Sequence, residues 1–340
     1  MLLHKKIIKN RSQKTNKRDV LVSMIEFESL HELVETLEKE CADWQKHEDA
    51  TKKHYRNLYS YLLNNKMPDS WASTISYKKL RHNLEYGLIS DYYNSMYQKA
   101  KKELVADNPQ CFHGVGINHA KRKRRISDVG DEIDIDRVLS GVPEHWSMMH
   151  RGAKRQKVRL GVSIGANAGV KTIEYVSIPA TALATVVAQE LEKRGHATEI
   201  YYIQPSVGVH LFKNNEDIAN FLPGGSVRKV KVKSAEERFD ENRIMSLAHS
   251  GLFRILMFMA KAYQNVLLNK ELPKMNLSEV KLAWSLGRSH PSMSMKIKDG
   301  PDYKQDFPGY DPLKFVGIDY LVGNTEDPSK VISNILDKHK

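Results

Sequence analysis

Between residues 121 and 159 the chain places eleven Lys/Arg and six acids. Clustered carboxylates and clustered cations are both raw materials for chemistry on nucleic acid. Asp131, Asp134 and Asp136 could hold divalent metal for phosphodiester cleavage, because two-metal catalysis needs converging acids. If residues 131 to 136 are extended, alternation puts Glu132, Asp134 and Asp136 on one side and Asp131, Ile133 and Ile135 on the other. The same pattern suits a solvated acidic face that caps a helix beginning near Asp136, or one that pairs with the basic runs beside it. His145, next to Trp146, reads as an anchor rather than a general base.

The cations form two flanking runs. Lys121, Arg122, Lys123, Arg124 and Arg125 precede the acids; Arg151, Lys154, Arg155, Lys157 and Arg159 follow them. A third set lies in Val227-Arg-Lys-Val-Lys-Val-Lys233, where Val230 and Val232 point one way and Lys229, Lys231 and Lys233 the other. That is a half-buried strand with a cationic face, consistent with a sheet edge guarded by lysines. Phosphate contacts come from such groups. The expected nucleic-acid-binding residues are therefore Lys121 to Arg125, Arg151, Lys154, Arg155, Lys157, Lys229, Lys231 and Lys233.

Eight of the fifteen tyrosines fall between Tyr55 and Tyr97, mixed with Lys52, Lys53, Arg56, Lys78, Lys79 and Arg81. Interleaved rings and cations can stack the bases and track the backbone of a single strand. Tyrosines at helical spacing also make a small core with their hydroxyls in water, so both readings stand.

Other chemistry finds little support. Gly161-Val-Ser-Ile-Gly165 and Pro223-Gly-Gly225 match neither the Walker nor the dinucleotide fingerprint. Cys41 and Cys111 are far apart, with no metal-ligand spacing around them. No catalytic residue, metal or cofactor is expected.

The whole chain carries 53 Lys/Arg against 41 Asp/Glu over 340 residues, a net charge of +12. Residues 1 to 23 hold seven Lys/Arg against Asp19 alone, half of that excess, and read as a basic flexible arm or an extension. The densest apolar stretch, residues 251 to 260, is interrupted by Arg254 and falls short of the ~18 residues that span a membrane. No membrane partner is expected.

The secondary structure carrying these groups changes character along the chain. Residues 24 to 110 read as all-helical: Ser29-Leu-His-Glu32 is a capping box, and Leu30, Leu33, Val34 and Leu37 follow helical spacing over 30 to 42. Further helices are expected at about 49–65, 77–86 and 88–105. Residues 111 to 156 form a charged junction. From 157 onward strands and helices alternate: strands at 157–164 and 197–203, with Ile173–Ile178 a second strand or a transition, and a helix at 180–194 begun by Pro179 and stopped by Gly195. Later elements are a strand at 207–212, a helix at 215–222, the lysine strand, a long helix at 240–268, a loop over 285–312, a strand at 315–322 and a helix at 327–337. The fold class is α/β, a mainly parallel sheet flanked by helices and preceded by a small all-helical region.

With the 130–146 segment, the 158–203 unit and the 240–268 helix, the chain resembles a family of uncharacterised tailed-phage proteins whose C-terminal half is similar to a divergent von Willebrand factor A domain. The central segment Gly130-Asp-Glu-Ile-Asp-Ile-Asp-Arg-Val-Leu-Ser-Gly-Val-Pro-Glu-His-Trp146 is its most specific part. The resemblance implies a fold and not an activity. A metal-binding member of that fold ends its first strand with Asp-x-Ser-x-Ser; here Ser163, Gly165 and Asn167 align with the three ligand positions, and the carboxylate is missing.

Three functions are expected, in this order: a non-enzymatic phage protein that binds nucleic acid, single-stranded DNA among the candidates, together with a phage or host protein in replication or transcription; a pure protein-interaction or assembly module of von Willebrand A type; and a metal-dependent enzyme on nucleic acid. All three place it in the host cytoplasm.

Overall fold

The computed structural model describes residues 1–8, 19–45, 81–82, 91–112, 123–127, 132–133, 135–141, 146–150, 156–163, 170–206, 221–248, 256–257, 260, 263–264, 267, 312–323 and 327–339. In chain order these form β1 (Leu2–Ile8), β2 (Asp19–Phe27), α1 (Leu30–Gln45), α2 (Asp91–Asp107) and α3 (Pro109–Phe112). There follow β3 (Lys123–Ser127), β4 (Glu132–Ile133), α4 (Ile135–Leu139), β5 (Trp146–His150), β6 (Lys157–Ser163) and α5 (Val170–Lys193). The remainder is β7 (Ala197–Ser206), β8 (Phe221–Lys233), α6 (Glu241–Met245), α7 (Pro312–Val316), β9 (Tyr320–Gly323) and α8 (Pro328–Asp337).

A six-stranded sheet of order β1-β2-β8-β7-β6-β9 forms the body. It is mixed: β2–β8, β6–β7 and β6–β9 are parallel, while β1–β2 and β7–β8 are antiparallel. The α/β class stands, and the expectation of a mainly parallel sheet gives way to this mixture. Successive strands β7 and β8 lie side by side, and the N-terminal pair adds to the far side of β8.

The segment expected as a basic arm, residues 1 to 23, carries β1 and most of β2, and residues 24 to 27 complete a strand before the first helix. The physical reason is visible in Val20-Leu-Val-Ser-Met-Ile-Glu-Phe27. Ile25 and Phe27 face the main core, while Met24 and Glu26 face the other side, the period-2 pattern of a half-buried strand. The capping box at the start of α1 is present: the Glu32 amide donates to Ser29 Oγ at 3.0 Å, and Glu32 Oε2 accepts from the Glu28 amide at 2.6 Å.

One face of the sheet is covered by helices. Val158, Leu160, Val162, Ile200, Tyr202, Val230 and Val232 meet Leu33 and Leu37 of α1, Leu183, Val187 and Leu191 of α5, and Ile332 and Ile335 of α8. α5 is apolar on nearly all sides because it is enclosed: the sheet lies on one side, and Tyr97 of α2 meets Ile178 and Ala182 on another. It begins at Val170, so Ile173 to Ile178 are helical and the exposed Pro179 lies inside the helix, not at its start. Enclosure outweighs the β-branched composition of that stretch.

α8 matches its expected bounds, Pro328 following the Asp327 cap whose side chain accepts from the Ser329 amide. The strand expected at 315–322 is shorter, because Leu313 to Val316 turn as helix and Gly317, at φ +70°, ends it. Residues 241 to 245 start a helix, a 3₁₀ turn follows at Ser246–Ala248, and helical positions reappear at 257, 260, 263, 264 and 267. The expected elements at 49–65 and 207–212, and most of those at 77–86, 215–222 and 285–312, lie outside the described residues, and the last two residues of the helix expected at 215–222 open β8 as strand.

Candidate nucleic-acid interface

A second, three-stranded sheet of order β3-β5-β4 holds the charged junction. β3 and β5 run antiparallel, with Lys123 opposite His150, Arg124 opposite Met149, Arg125 opposite Met148 and Ser127 opposite Trp146. The start of β3 thus sits beside the end of β5. These are the points from which the runs continue, back to Lys121 and Arg122 and on to Arg151, Lys154 and Arg155. The described part of the first run, Lys123 to Arg125, thus pairs with His150 to Met148, the residues just before the second run in sequence. β4 pairs with the opposite end of β5, Glu132 beside Ser147 and Ile133 beside Trp146. Glu132 therefore lies at the end of the sheet away from Lys123. Lys121, Arg122, Arg151, Lys154 and Arg155 themselves, with Asp131 and Asp134, lie outside the described residues.

Lys229, Lys231 and Lys233 sit differently from expectation. β8 is no edge: β2 pairs on one side and β7 on the other. Each lysine meets a carboxylate distant in sequence. Lys229, 5% exposed, is 2.7 Å from Glu26 and lies 4.2 Å from the Tyr201 ring centroid. Lys231 pairs with Glu28. Lys233, 2% exposed, pairs with Glu192 at 2.6 Å and donates to the carbonyls of Thr198 and Ser234.

The pairing continues across the sheet. Glu199 of β7 accepts from Lys157 at 2.9 Å and from the Tyr201 hydroxyl at 2.8 Å. Arg159 of β6 grips Asp319 through Nε, Nη2 and its own amide, at 3.3, 2.9 and 2.8 Å. Along the strand order β2, β8, β7, β6 and the residue before β9, the charges run acid, base, acid, base, acid. Burial would raise the Glu199 pKa, but the bonds from Lys157 and Tyr201 outweigh it and leave the carboxyl below its ordinary value. Burial would likewise lower the Lys231 ammonium, and Glu28 reverses this and holds it above. The Tyr201 hydroxyl is pushed up, first by burial and then by donating to Glu199.

Among the described members of the expected basic set, Lys157 combines an ion pair with a half-exposed side chain. Arg228 was missed. It is fully buried, on the core-facing parity of Val230 and Val232, which its spacing in the sequence already showed. Burial pulls its guanidinium down to about 9, opposed by the Tyr202 hydroxyl. The delocalised charge of a guanidinium still resists deprotonation.

Of the tyrosines, Tyr97 is buried, Tyr93 half-buried and Tyr92 exposed, with Tyr92 and Tyr93 edge to face at 5.7 Å. Both the core reading and the platform reading find members here. Arg81 reaches Glu38 at 3.4 Å. Ser163 ends β6, beside Gly323 of β9, while Gly165 and Asn167 lie outside the described residues. Among the described residues no three His, Cys, Asp or Glu side chains gather as metal ligands. No described helix is long and apolar enough to cross a membrane.

The described residues define an α/β protein built on a mixed six-stranded sheet, with a second sheet of three strands. The chain belongs to the DUF7192 family, a domain of unknown function, whose sequence model matches residues 11–328. No curated protein and no solved structure matches the chain.

Proposed function

We propose that the protein binds nucleic acid, single-stranded DNA included, through the basic runs Lys121–Arg125 and Arg151–Arg155, with Lys157 set aside because it pairs with Glu199. It acts as a non-enzymatic phage protein in the host cytoplasm, with a protein partner, in replication or transcription. The observation that supports this is the register of β3 on β5, which sets Lys123 opposite His150, the residue before the second run in sequence. Phosphate binding needs several cations close together, because each contact releases counterions and adds to the affinity. The β8 lysines, engaged by Glu26, Glu28 and Glu192, are set aside from this role.

Titration of labelled oligothymidine and of a duplex across salt concentrations tests the reading. Binding near ~50 mM salt that weakens steeply as salt rises is the expected result. No binding to either form at that salt would overturn it.

A von Willebrand A-like assembly module is the second reading. It is favoured by the parallel β6-α5-β7 unit, with Ser163 at the carboxyl end of β6 where open α/β sheets present their sites. Under it, a stoichiometric protein partner would survive both nuclease and high salt.

A further inference from the structure

A buried polar cluster interrupts the helix-covered face of the large sheet. Gln204 of β7 stands two residues beyond Tyr202, and alternation puts it on the face that Ile200 and Tyr202 turn to the main core. Arg228 of β8 shares that face with Val230 and Val232, and the β7–β8 register sets it directly opposite Gln204. Opposed residues of an antiparallel pair have Cβ atoms about 5 Å apart, so the two side chains leave the sheet as neighbours. Ser23 of β2, in phase with Ile25 and Phe27, continues the cluster across β8. Gln264 spans these strands: its Nε2 donates to Ser23 Oγ at 3.1 Å and to the Val227 carbonyl at 3.4 Å.

The hydrogen-bonding capacity of the two amides is incompletely used. Gln204 is 1% exposed and Gln264 is fully buried. Among the described residues neither polar atom of the Gln204 side chain has a hydrogen-bond partner, nor has Gln264 Oε1. Burial without a partner carries the full desolvation cost of each group. The orientation of Gln264 is fixed by chemistry, because the Val227 carbonyl can only accept; the atom left over is the amide oxygen, an acceptor. Gln204 adds one donor group and one acceptor. The pair thus asks for an occupant that both accepts and donates, and the buried Arg228 guanidinium beside it favours negative charge in that occupant. The cluster lies toward the carboxyl ends of the parallel strands β6 and β7, the side on which open α/β sheets place ligands. The apolar core begins at the pair Tyr202 and Val230.

We infer that Gln204, Gln264 and Arg228 hold a protonated phosphate, free or as a monoester. Its bare oxygens accept from the Gln204 amide and the Arg228 guanidinium, and its P–OH donates to an amide oxygen of Gln204 or Gln264. Sulfate has the same shape but no proton to give, so the two amide oxygens select against it. The inference is independent of nucleic-acid binding and is tested with none present.

Isothermal titration calorimetry of the full chain, freed of nucleic acid, compares inorganic phosphate, methyl phosphate and sulfate at matched ionic strength. A pH of about 6 keeps a proton on inorganic phosphate and on a large share of the monoester. Inorganic phosphate is expected to bind one to one and at least about tenfold more tightly than sulfate, the scale of one hydrogen bond to a charged group. Methyl phosphate binding as tightly marks a site for esters; its failure to bind beside inorganic phosphate marks a site for the free ion. Gln204→Leu should lose about tenfold or more in phosphate affinity, while its melting temperature without phosphate stays level or rises, because an unpartnered buried amide has been removed. The comparison of phosphate with sulfate uses the unaltered chain and decides without the variant. No phosphate binding, as expected if the amides meet water alone, equal binding of phosphate and sulfate, or an unchanged affinity in Gln204→Leu would overturn the inference.

Discussion

Strands β8 and β3 carry similar chemistry in different settings. β8 lies between β2 and β7, and its three lysines reach Glu26, Glu28 and Glu192. Among the described residues β3 pairs with β5 alone, and its Lys123, Arg124 and Arg125 stand in register with His150, Met149 and Met148, none of them an acid. A count of cations therefore says little about where a polyanion binds. Lysines inside a sheet are held by carboxylates, because desolvating an ammonium without a partner costs several kcal/mol. Only cations that the fold leaves without acids opposite them are candidates for phosphate. Much of the chain's alternating charge serves the sheet, and the junction is where basicity gathers.

The severest challenge to this contrast is Lys229→Ala. It leaves Glu26, 16% exposed, with His4 at 3.5 Å as its remaining partner among the described residues, and urea denaturation should show a loss of roughly 3 kcal/mol, the low end for a broken buried pair. A loss under ~1 kcal/mol would mean that β8 is as tolerant as a surface strand. Next in size is Gly161→Ala on β6. A Cβ there would lie 2.4 Å from Ile203 Cδ1 and 2.7 Å from Ile318 Cδ1, an overpacking expected to cost roughly 1–3 kcal/mol in the same measurement.

Acid titration probes the same contrast through the carboxylates. The folded-state pKa of Glu199 lies below its ordinary value, so its stabilisation is fully present above the unfolded pKa of about 4.3 and is lost as pH falls through the folded value. Thermal melts from pH 7 to 3 should therefore fall less steeply for Glu199→Gln than for the unaltered chain; an identical slope would leave the charge ladder without a role in stability. The smallest expected effect is Lys231→Ala, below about 1 kcal/mol, because its partner Glu28 is 59% exposed.

How much of this was legible in the sequence differs by element. α1 and α8 announced themselves through capping residues and helical spacing, and β6 and β7 through short β-rich runs, because those signals are local. The mixed sheet did not: the pairing of Asp19–Phe27 with Phe221–Lys233 joins segments some 200 residues apart, and nothing local specifies it. The same distance hid the partners of Lys229 and Lys231. Yet Glu26 and Glu28 repeat the two-residue spacing of those lysines, a match that becomes meaningful once 19–27 is seen as a strand. The runs 121–125 and 151–155 were legible as charge, and the pairing of Lys123 with His150 was not, since it depends on the β3–β5 register.

If nucleic-acid binding resides in the junction runs and not in β8, the salt dependence of oligothymidine binding should separate two variants. Neutralising Lys121 to Arg125 with glutamine should reduce the log–log slope by about 3 to 4, at roughly 0.7 for each phosphate no longer neutralised. Lys231→Gln, which removes the most exposed of the β8 lysines, should leave it unchanged. An unchanged slope for the first variant and a reduced slope for the second would place binding on β8 and refute the assignment to the junction.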